Sequence, residues 1–352
     1  MSDQLDVVTF GELLGVISPF DQGSTLESTV LLERSLGGAE VNIALALARL
    51  GHRVGWAGVV GDDPFGRDGL RTLRGEGVDV SRTAVDPLWP TGIYFKEMLP
   101  LGGVRNYPYR EASAASRATY ADVDVDYALS GRVLHMTGIT ALISDAGHDL
   151  VTRLMTAAAA TDVHVSFDVN IRNRLLRGRD PAHLLRPLSE FADVIFASRD
   201  EAALLFSTDD LIALQSMLGS MAATALIVHD VHGAIAVTDY DIAKVDARAV
   251  NVVDPTGAGD ALAAGYLSGW LDDAPSPAAL SARNAAPPMP LPVARTAPSR
   301  SIVLRRTLPP GTTDDDVRRR PDSRTRARAH RRTTLHRRDQ ITDNRGRTSG
   351  EP

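Results

Sequence analysis

The sequence predicts an α/β fold with a mostly parallel sheet. Short β-branched apolar runs alternate with helical stretches along residues 1–286, the pattern of strands joined by crossover helices. Apolar residues make up 43% of the 352, enough for a substantial core in one large domain or two small ones. The alternation stops abruptly at Pro287-Pro-Met-Pro-Leu-Pro292, where no helix can continue.

The elements follow in order. Val7-Val8-Thr9-Phe10, ended by Gly11, reads as a buried strand. Residues 39–50 have the alanine and leucine content of a helix, with Gly51 at its C′ position. Residues 54–60 read as the next strand, followed by strands at 133–137, 163–167, 194–197 and 225–228. Helices are expected at 145–160, 182–191 and 201–206. Residues 14–36 and 91–110 break the rhythm as extended segments with turn residues and few helical signals.

Composition excludes several chemistries. There is no cysteine, so no disulfide framework, thiolate zinc site or cysteine nucleophile. The N-terminus lacks a basic start and apolar core, and no apolar run approaches the ~20 residues of a membrane span; the chain reads as cytoplasmic. The nine histidines show no metal-ligand spacing. Net charge is −6, divided unevenly: residues 287–352 hold 16 arginines against 7 acidic residues (+9), and the rest holds 22 basic against 37 acidic residues (−15). The tail is rich in Arg, Thr and Pro and reads as disordered. Without interleaved aromatics it argues weakly for nucleic-acid binding.

One run carries the most chemistry: Asp254-Pro-Thr-Gly-Ala-Gly-Asp260, opening an apolar helix. The backbone N–H groups of Gly257, Ala258 and Gly259 can converge at the helix N-terminus as an anion site. A carboxylate beside such a site is electrostatically awkward. It makes sense if Asp260 takes a proton from a hydroxyl that attacks a phosphoryl group. A tight packing loop is the other reading of the glycines.

With Asp254 and Thr256 included, this run resembles the second signature of the ribokinase-like (PfkB) sugar kinases. That resemblance implies a three-layer α/β/α sandwich, a small β-sheet lid from about 12–36 and 91–110, ATP and Mg²⁺, and a monovalent cation such as K⁺ near Asp254 and Thr256. It also implies a sugar substrate and dimerisation through the lid. Gly58-Val-Val-Gly61-Asp62-Asp63-Pro64-Phe65-Gly66 resembles the first signature, its glycines serving architecture. Gly37-Gly38-Ala39-Glu40-Val41-Asn42 matches the family's sugar-contacting Gly-Gly-x-x-x-Asn run. On local grounds it is equally a loop entering a helix.

Two clusters bear on the sugar. Asp168-Val169-Asn170-Ile171-Arg172 follows a strand, where open α/β sheets place ligands, and an arginine there suits a carboxylate. A plain ion pair between Asp168 and Arg172 or Arg174 is the structural alternative. Tyr107-Pro108-Tyr109-Arg110, with the small-residue run 113–116, resembles the 2-keto-3-deoxygluconate kinase branch. In that branch Arg172, and Arg110 with Tyr94 or Tyr109, would hold an acid sugar, with Gly37, Gly38, Asn42, Asp168 and Asn170 lining the site. Fructokinases share the Asp-x-Asn-x-Arg pattern. Ser198-Arg199-Asp200-Glu201 occupies the family's Asn-x-x-Glu position, implying Ser198 near nucleotide and Glu201 acting on Mg²⁺ through water. Its local reading is a serine-capped acidic first turn.

Two departures from the family stand out. In Val228-His229-Asp230-Val231-His232-Gly233, only Gly233 keeps the glycine pattern that borders nucleotide, and Asp230 would repel phosphates unless turned away or screened. After Asn284-Ala-Ala286 the resemblance ends, and the pattern fits a change of reading frame. The expected function is ATP-dependent phosphorylation of 2-keto-3-deoxygluconate. Fructokinase or another sugar kinase is the alternative, as is a sugar-binding product impaired by its replaced nucleotide wall.

Overall fold

Continuous apolar runs place strands in the middle of the molecule, buried on both faces. The structure is a computed structural model and describes residues 4–21, 23–99, 103–247 and 256–272. Its strands are β1 (Val7–Phe10), β2 (Leu14–Pro19), β3 (Leu32–Gly37), β4 (Val54–Ala57), β5 (Val59–Gly61), β6 (Ala84–Asp86) and β7 (Gly92–Met98). They continue with β8 (Val104–Tyr109), β9 (Val133–Thr137), β10 (His164–Asp168), β11 (Val194–Ser198), β12 (Ala225–Asp230), β13 (Gly233–Thr238) and β14 (Ile242–Asp246). The helices are α1 (Ala39–Arg49), α2 (Pro64–Gly75), α3 (Ala114–Arg117), α4 (Val125–Ala128), α5 (Gly138–Ile143), α6 (Asp145–Ala159), α7 (Asn173–Leu176), α8 (Pro181–Ser189), α9 (Arg199–Phe206), α10 (Leu211–Leu218) and α11 (Ala258–Leu271).

The main sheet runs β14-β13-β12-β11-β10-β9-β1-β4. It is parallel from β4 to β12 and antiparallel at the β13–β14 edge. Strand alternation divides the core into two layers. Val8, Leu134, Phe167 and Ile195 pack with Leu154 of α6 and Leu205 of α9 on one face. Val7, Val133, Phe196 and Ile227 pack with Leu45 of α1, Leu73 of α2 and Tyr266 of α11 on the other. Helix, sheet and helix make the three layers that the family resemblance implies.

The extended segments form the expected small sheet, ordered β3-β2-β7-β8. Strand β2 pairs antiparallel with β3 and parallel with β7, and β7 pairs antiparallel with β8. The structure differs from the single strand expected at 54–60. A Cβ on Gly58 would collide with the Gly11 carbonyl and come within 2.7 Å of the Trp56 ring. The chain turns there, and β5 leaves the main sheet to pair with β6. Asp63 caps α2 by accepting from the Phe65 and Gly66 amides, so this stretch serves architecture as expected. The tail at 287–352 and the break at 286 lie outside the described residues.

Candidate active site

The carboxyl ends of the parallel strands share one end of the sheet with the N-terminus of α11, and the candidate residues gather there. Gly257 is the N-cap of α11 with φ 84, a left-handed conformation that glycine adopts without penalty. A Cβ at this position would meet only the Asn42 amide nitrogen and an Asp260 carboxylate oxygen, at 3.6 and 3.8 Å. Backbone conformation, rather than crowding, thus selects the glycine. The first helical hydrogen bond runs from the Ala261 N–H to the Gly257 carbonyl, 2.9 Å. The preceding first-turn amides have no partner within the helix.

Asp260 sits in that first turn, 7% exposed. Its Oδ2 accepts a 2.7 Å hydrogen bond from Asn42 Nδ2 on α1. Burial pushes its carboxyl up to about 6, while the Asn42 hydrogen bond and the positive Arg172 pull the other way. The carboxylate is ionised above that pH and remains a better base than a solvated aspartate.

Gly37 and Gly38 lead into α1 beside it. Gly38 has φ 124, and a Cβ there would strike the Glu12 carbonyl. A Cβ on Gly37 would lie 3.2 Å from Tyr94 Oη, so Gly37 and Tyr94 adjoin. Sheet register separates the two candidate tyrosines. Tyr94 pairs with Pro108, whereas Tyr109 pairs with Ile93 and points from the opposite face of the lid sheet. Tyr109 is 64% exposed and stands edge-on to Phe95 at 5.6 Å. The structure therefore brings Tyr94 to Gly37 and leaves Tyr109 away from it. Arg110, one residue on, forms an ion pair with Glu12.

At the end of β10, Asn170 adopts φ 39, and its Nδ2 donates to Asp168 Oδ2 at 3.0 Å. Burial raises the Asp168 carboxyl well above the ordinary carboxylate range, and the negative Asp260 and Glu201 add to it. Among the described residues no ion pair joins Asp168 to Arg172 or Arg174, so the plain ion-pair alternative is not what the fold builds. Arg174 instead donates to the Asn106 carbonyl on the lid, 2.9 Å. Arg172 is exposed, with its charge felt at both Asp168 and Asp260.

Glu201 braces this loop. Its Oε2 accepts from the Ser198 N–H at 2.8 Å, and Ser198 Oγ accepts in return from the Glu201 N–H at 3.2 Å. The serine-capped acidic first turn read from the sequence is present, and the two residues cap each other reciprocally as a capping box. Oε1 reaches further, to the Ile171 N–H at 2.6 Å. Each carboxylate oxygen keeps a second lone pair, so Glu201 can still accept from a metal-bound water. Among the described residues no group of three or more metal-ligating side chains occurs. Of the suggested cation pair, Thr256 is exposed and Asp254 lies outside the described residues.

The β12–β13 hairpin resolves one departure. Asp230 Oδ1 accepts from the His232 N–H at 2.7 Å, and Oδ2 from Arg199 Nε at 3.3 Å. Asp230 thus closes the turn, and Arg199 screens its charge. Gly233 has φ 146, and a Cβ there would collide with the Val245 carbonyl, so its glycine is required by the approach of β14.

Of the buried acids that the sequence reading did not single out, Glu12 and Glu40 lie nearest the candidate residues. Glu12 is described below. Glu40, in the first turn of α1, has its Oε1 accepting from Thr137 Oγ1 at 2.7 Å and Thr140 Oγ1 at 3.1 Å. Burial pushes it up to about 7. Gly11 packs against this carboxylate, leaving no space for a Cβ. The available signal was the glycine at the end of β1.

Comparison with known proteins gives the family. Residues 4–286 match the pfkB family carbohydrate kinase model, and the chain belongs to that family. It is 35% identical over 274 residues to the 2-dehydro-3-deoxygluconokinase of Bacillus subtilis (strain 168), covering 76% of this chain and 84% of that protein. Among solved structures, a PfkB protein from Polaromonas sp. JS666 superposes with a TM-score of 0.73 at 31% identity, over 80% of this chain and 93% of that one. A sugar kinase from Pyrococcus horikoshii solved in complex with ATP matches with a TM-score of 0.65 at 26% identity, over 75% and 84% of the two chains. The chain is a carbohydrate kinase of this fold, and no helix among its described residues is long and apolar enough to cross a membrane.

Proposed function

We propose that this kinase phosphorylates a sugar acid, 2-dehydro-3-deoxygluconate, with ATP as donor. The observation that carries the chemistry is the buried Asp260, hydrogen-bonded to Asn42 at the N-terminus of α11. As the substrate hydroxyl oxygen bonds to the γ-phosphorus, its proton passes to Asp260 and the bond to the ADP oxygen breaks. The amides of Ala258 and Gly259, after the left-handed Gly257, stabilise the charge on the transferred phosphoryl group. Asn42 orients the base and offers its amide to a sugar hydroxyl, with Gly37, Gly38 and Tyr94 beside it. Asn170 and Asp168 hold the loop that presents Arg172. Glu201 would meet the water shell of an Mg²⁺ ion carried with ATP, which would neutralise phosphate charge. Ser198 and the Gly233 hairpin border the nucleotide side.

The acid substrate rests on the named relative together with Arg110 and Arg172, two arginines near an otherwise carboxylate-rich site. Arginine recognises a carboxylate through paired, charge-assisted hydrogen bonds. The alternative of an impaired sugar-binding product loses one support, since Asp230 is screened by Arg199. Its other support lies after residue 286. A coupled ADP-release assay across acidic and neutral sugars tests the reading. Turnover of 2-dehydro-3-deoxygluconate with kcat/KM at least about tenfold above that of fructose or ribose is expected. A preference for fructose, or sugar binding without turnover, would refute it.

A further inference from the structure

Glu12 lies between β1 and β2, where the chain leaves the body for the lid. Its side chain is only 2% exposed, and it is ion-paired with Arg110, itself 10% exposed. Glu12 Oε1 also accepts a 2.7 Å hydrogen bond from Ser113 Oγ. Strand β7 begins directly against it, because a Cβ on Gly92 would come within 2.5 Å of Glu12 Oε1. Three lid strands therefore meet the body at one buried carboxylate: β2 just after it, β7 against it, and β8 through Arg110.

The ion pair leaves part of Arg110 unused. Arg110 Nε is buried with no hydrogen-bond partner, in a planar group with five N–H donors in a fixed fork. Tyr94 pairs with Pro108, so Arg110, two residues on, continues the Tyr94 face, which is the face that meets Gly37. Burial raises the Glu12 carboxyl, and the neighbouring Arg110 charge opposes that rise. A buried carboxylate without its cation would be costly, so each partner fixes the other.

We propose that Glu12 is a positioning residue for substrate: it holds the Arg110 guanidinium so that the donors it leaves free meet the carboxylate of a sugar acid. This rests on the sugar-acid reading above. Glu12 touches no substrate. It acts through Arg110 and sets affinity for the acid rather than the rate of phosphoryl transfer.

The test compares full-length wild type, Glu12→Gln, Arg110→Met and the double variant in steady-state kinetics with 2-dehydro-3-deoxygluconate and ATP. Glu12→Gln is expected to raise KM for the sugar acid about tenfold, with kcat and KM for ATP within about threefold of wild type. The double variant should be no worse than Arg110→Met within about twofold, because the two residues act as one unit. An unchanged sugar KM in Glu12→Gln, losses that multiply in the double variant, or an equal rise in KM for ATP would overturn the proposal. Should Glu12→Gln not fold, Glu12→Asp keeps the charge but withdraws it by one methylene. It should raise sugar KM several-fold, and an unchanged value overturns the proposal. A wild type active only on neutral sugars overturns the sugar-acid reading and this role with it. A wild type active on the acid with an unaffected Glu12→Gln overturns the positioning role alone.

Discussion

Replacing Glu40 by Gln should make the protein more stable as pH rises. Glu40 is buried, and its carboxyl is pushed from the ordinary 4.5 to about 7, chiefly by burial. The folded state thus holds this proton more tightly than the unfolded state does. The resulting stabilisation is fully present below 4.5 and is lost as pH rises through about 7. The gap between 4.5 and about 7, at about 1.4 kcal/mol per pKa unit, amounts to about 3 kcal/mol. Glutamine is nearly isosteric, stays neutral at every pH, and its carbonyl can accept from Thr137 and Thr140 as Oε1 does. Wild type and Glu40→Gln should therefore have similar melting temperatures near pH 5. Glu40→Gln should gain by up to about 3 kcal/mol at pH 8, several degrees for a chain of this size. Thermal unfolding followed by circular dichroism from pH 5 to 8 measures the difference. A difference that is flat with pH, or that grows in favour of wild type, would refute the buried, protonated Glu40.

Further expectations concern the site. For wild type, kcat/KM should fall as pH drops through about 6, where Asp260 takes up a proton. In Asn42→Ala, loss of the hydrogen bond that favours the ionised base should move this acid limb to higher pH, so activity falls more at pH 6.5 than at pH 8.5. Glu201→Gln replaces one acceptor with a donor facing the Ser198 or Ile171 amide. It should cost about 1.5–3 kcal/mol of thermal stability and lower kcat through the loosened 168–172 loop; an unchanged melting temperature would discount the brace. Tyr94→Phe should raise sugar KM, whereas Tyr109→Ala should leave it within about twofold, since the two rings lie on opposite faces of the lid.

How far the sequence reveals this arrangement depends on the range of the forces involved. The strand Val7–Phe10 and the helix Ala39–Arg49 are set by local apolar pattern and glycine stops, and both are legible. So is the turn at Gly257 with Asp260 beyond it, because a helix start has a short signature. Glu12 and Glu40 are not. Their burial is decided by Ser113 and Thr137, 101 and 97 residues away, and a carboxylate in a sequence carries no mark of distant hydroxyls. Asp230 reads as a repelling charge for the same reason: Arg199, which screens it, lies 31 residues back. The strand expected at 54–60 breaks at Gly58, which passes so close to the Gly11 carbonyl that any side chain there would collide with it, a constraint set by a segment far away in sequence. Tyr94 and Tyr109 are indistinguishable until the register of β7 on β8 assigns them to faces.

The central claim is that Asp260 is the base in phosphoryl transfer to a sugar acid. Its most direct test measures turnover and sugar binding together in wild type and Asp260→Asn. Asparagine keeps the shape and can still meet Asn42, but it cannot accept the hydroxyl proton. Turnover of 2-dehydro-3-deoxygluconate should fall by about two to four orders of magnitude, while the sugar dissociation constant stays within about threefold. Turnover within tenfold of wild type would contradict the assignment.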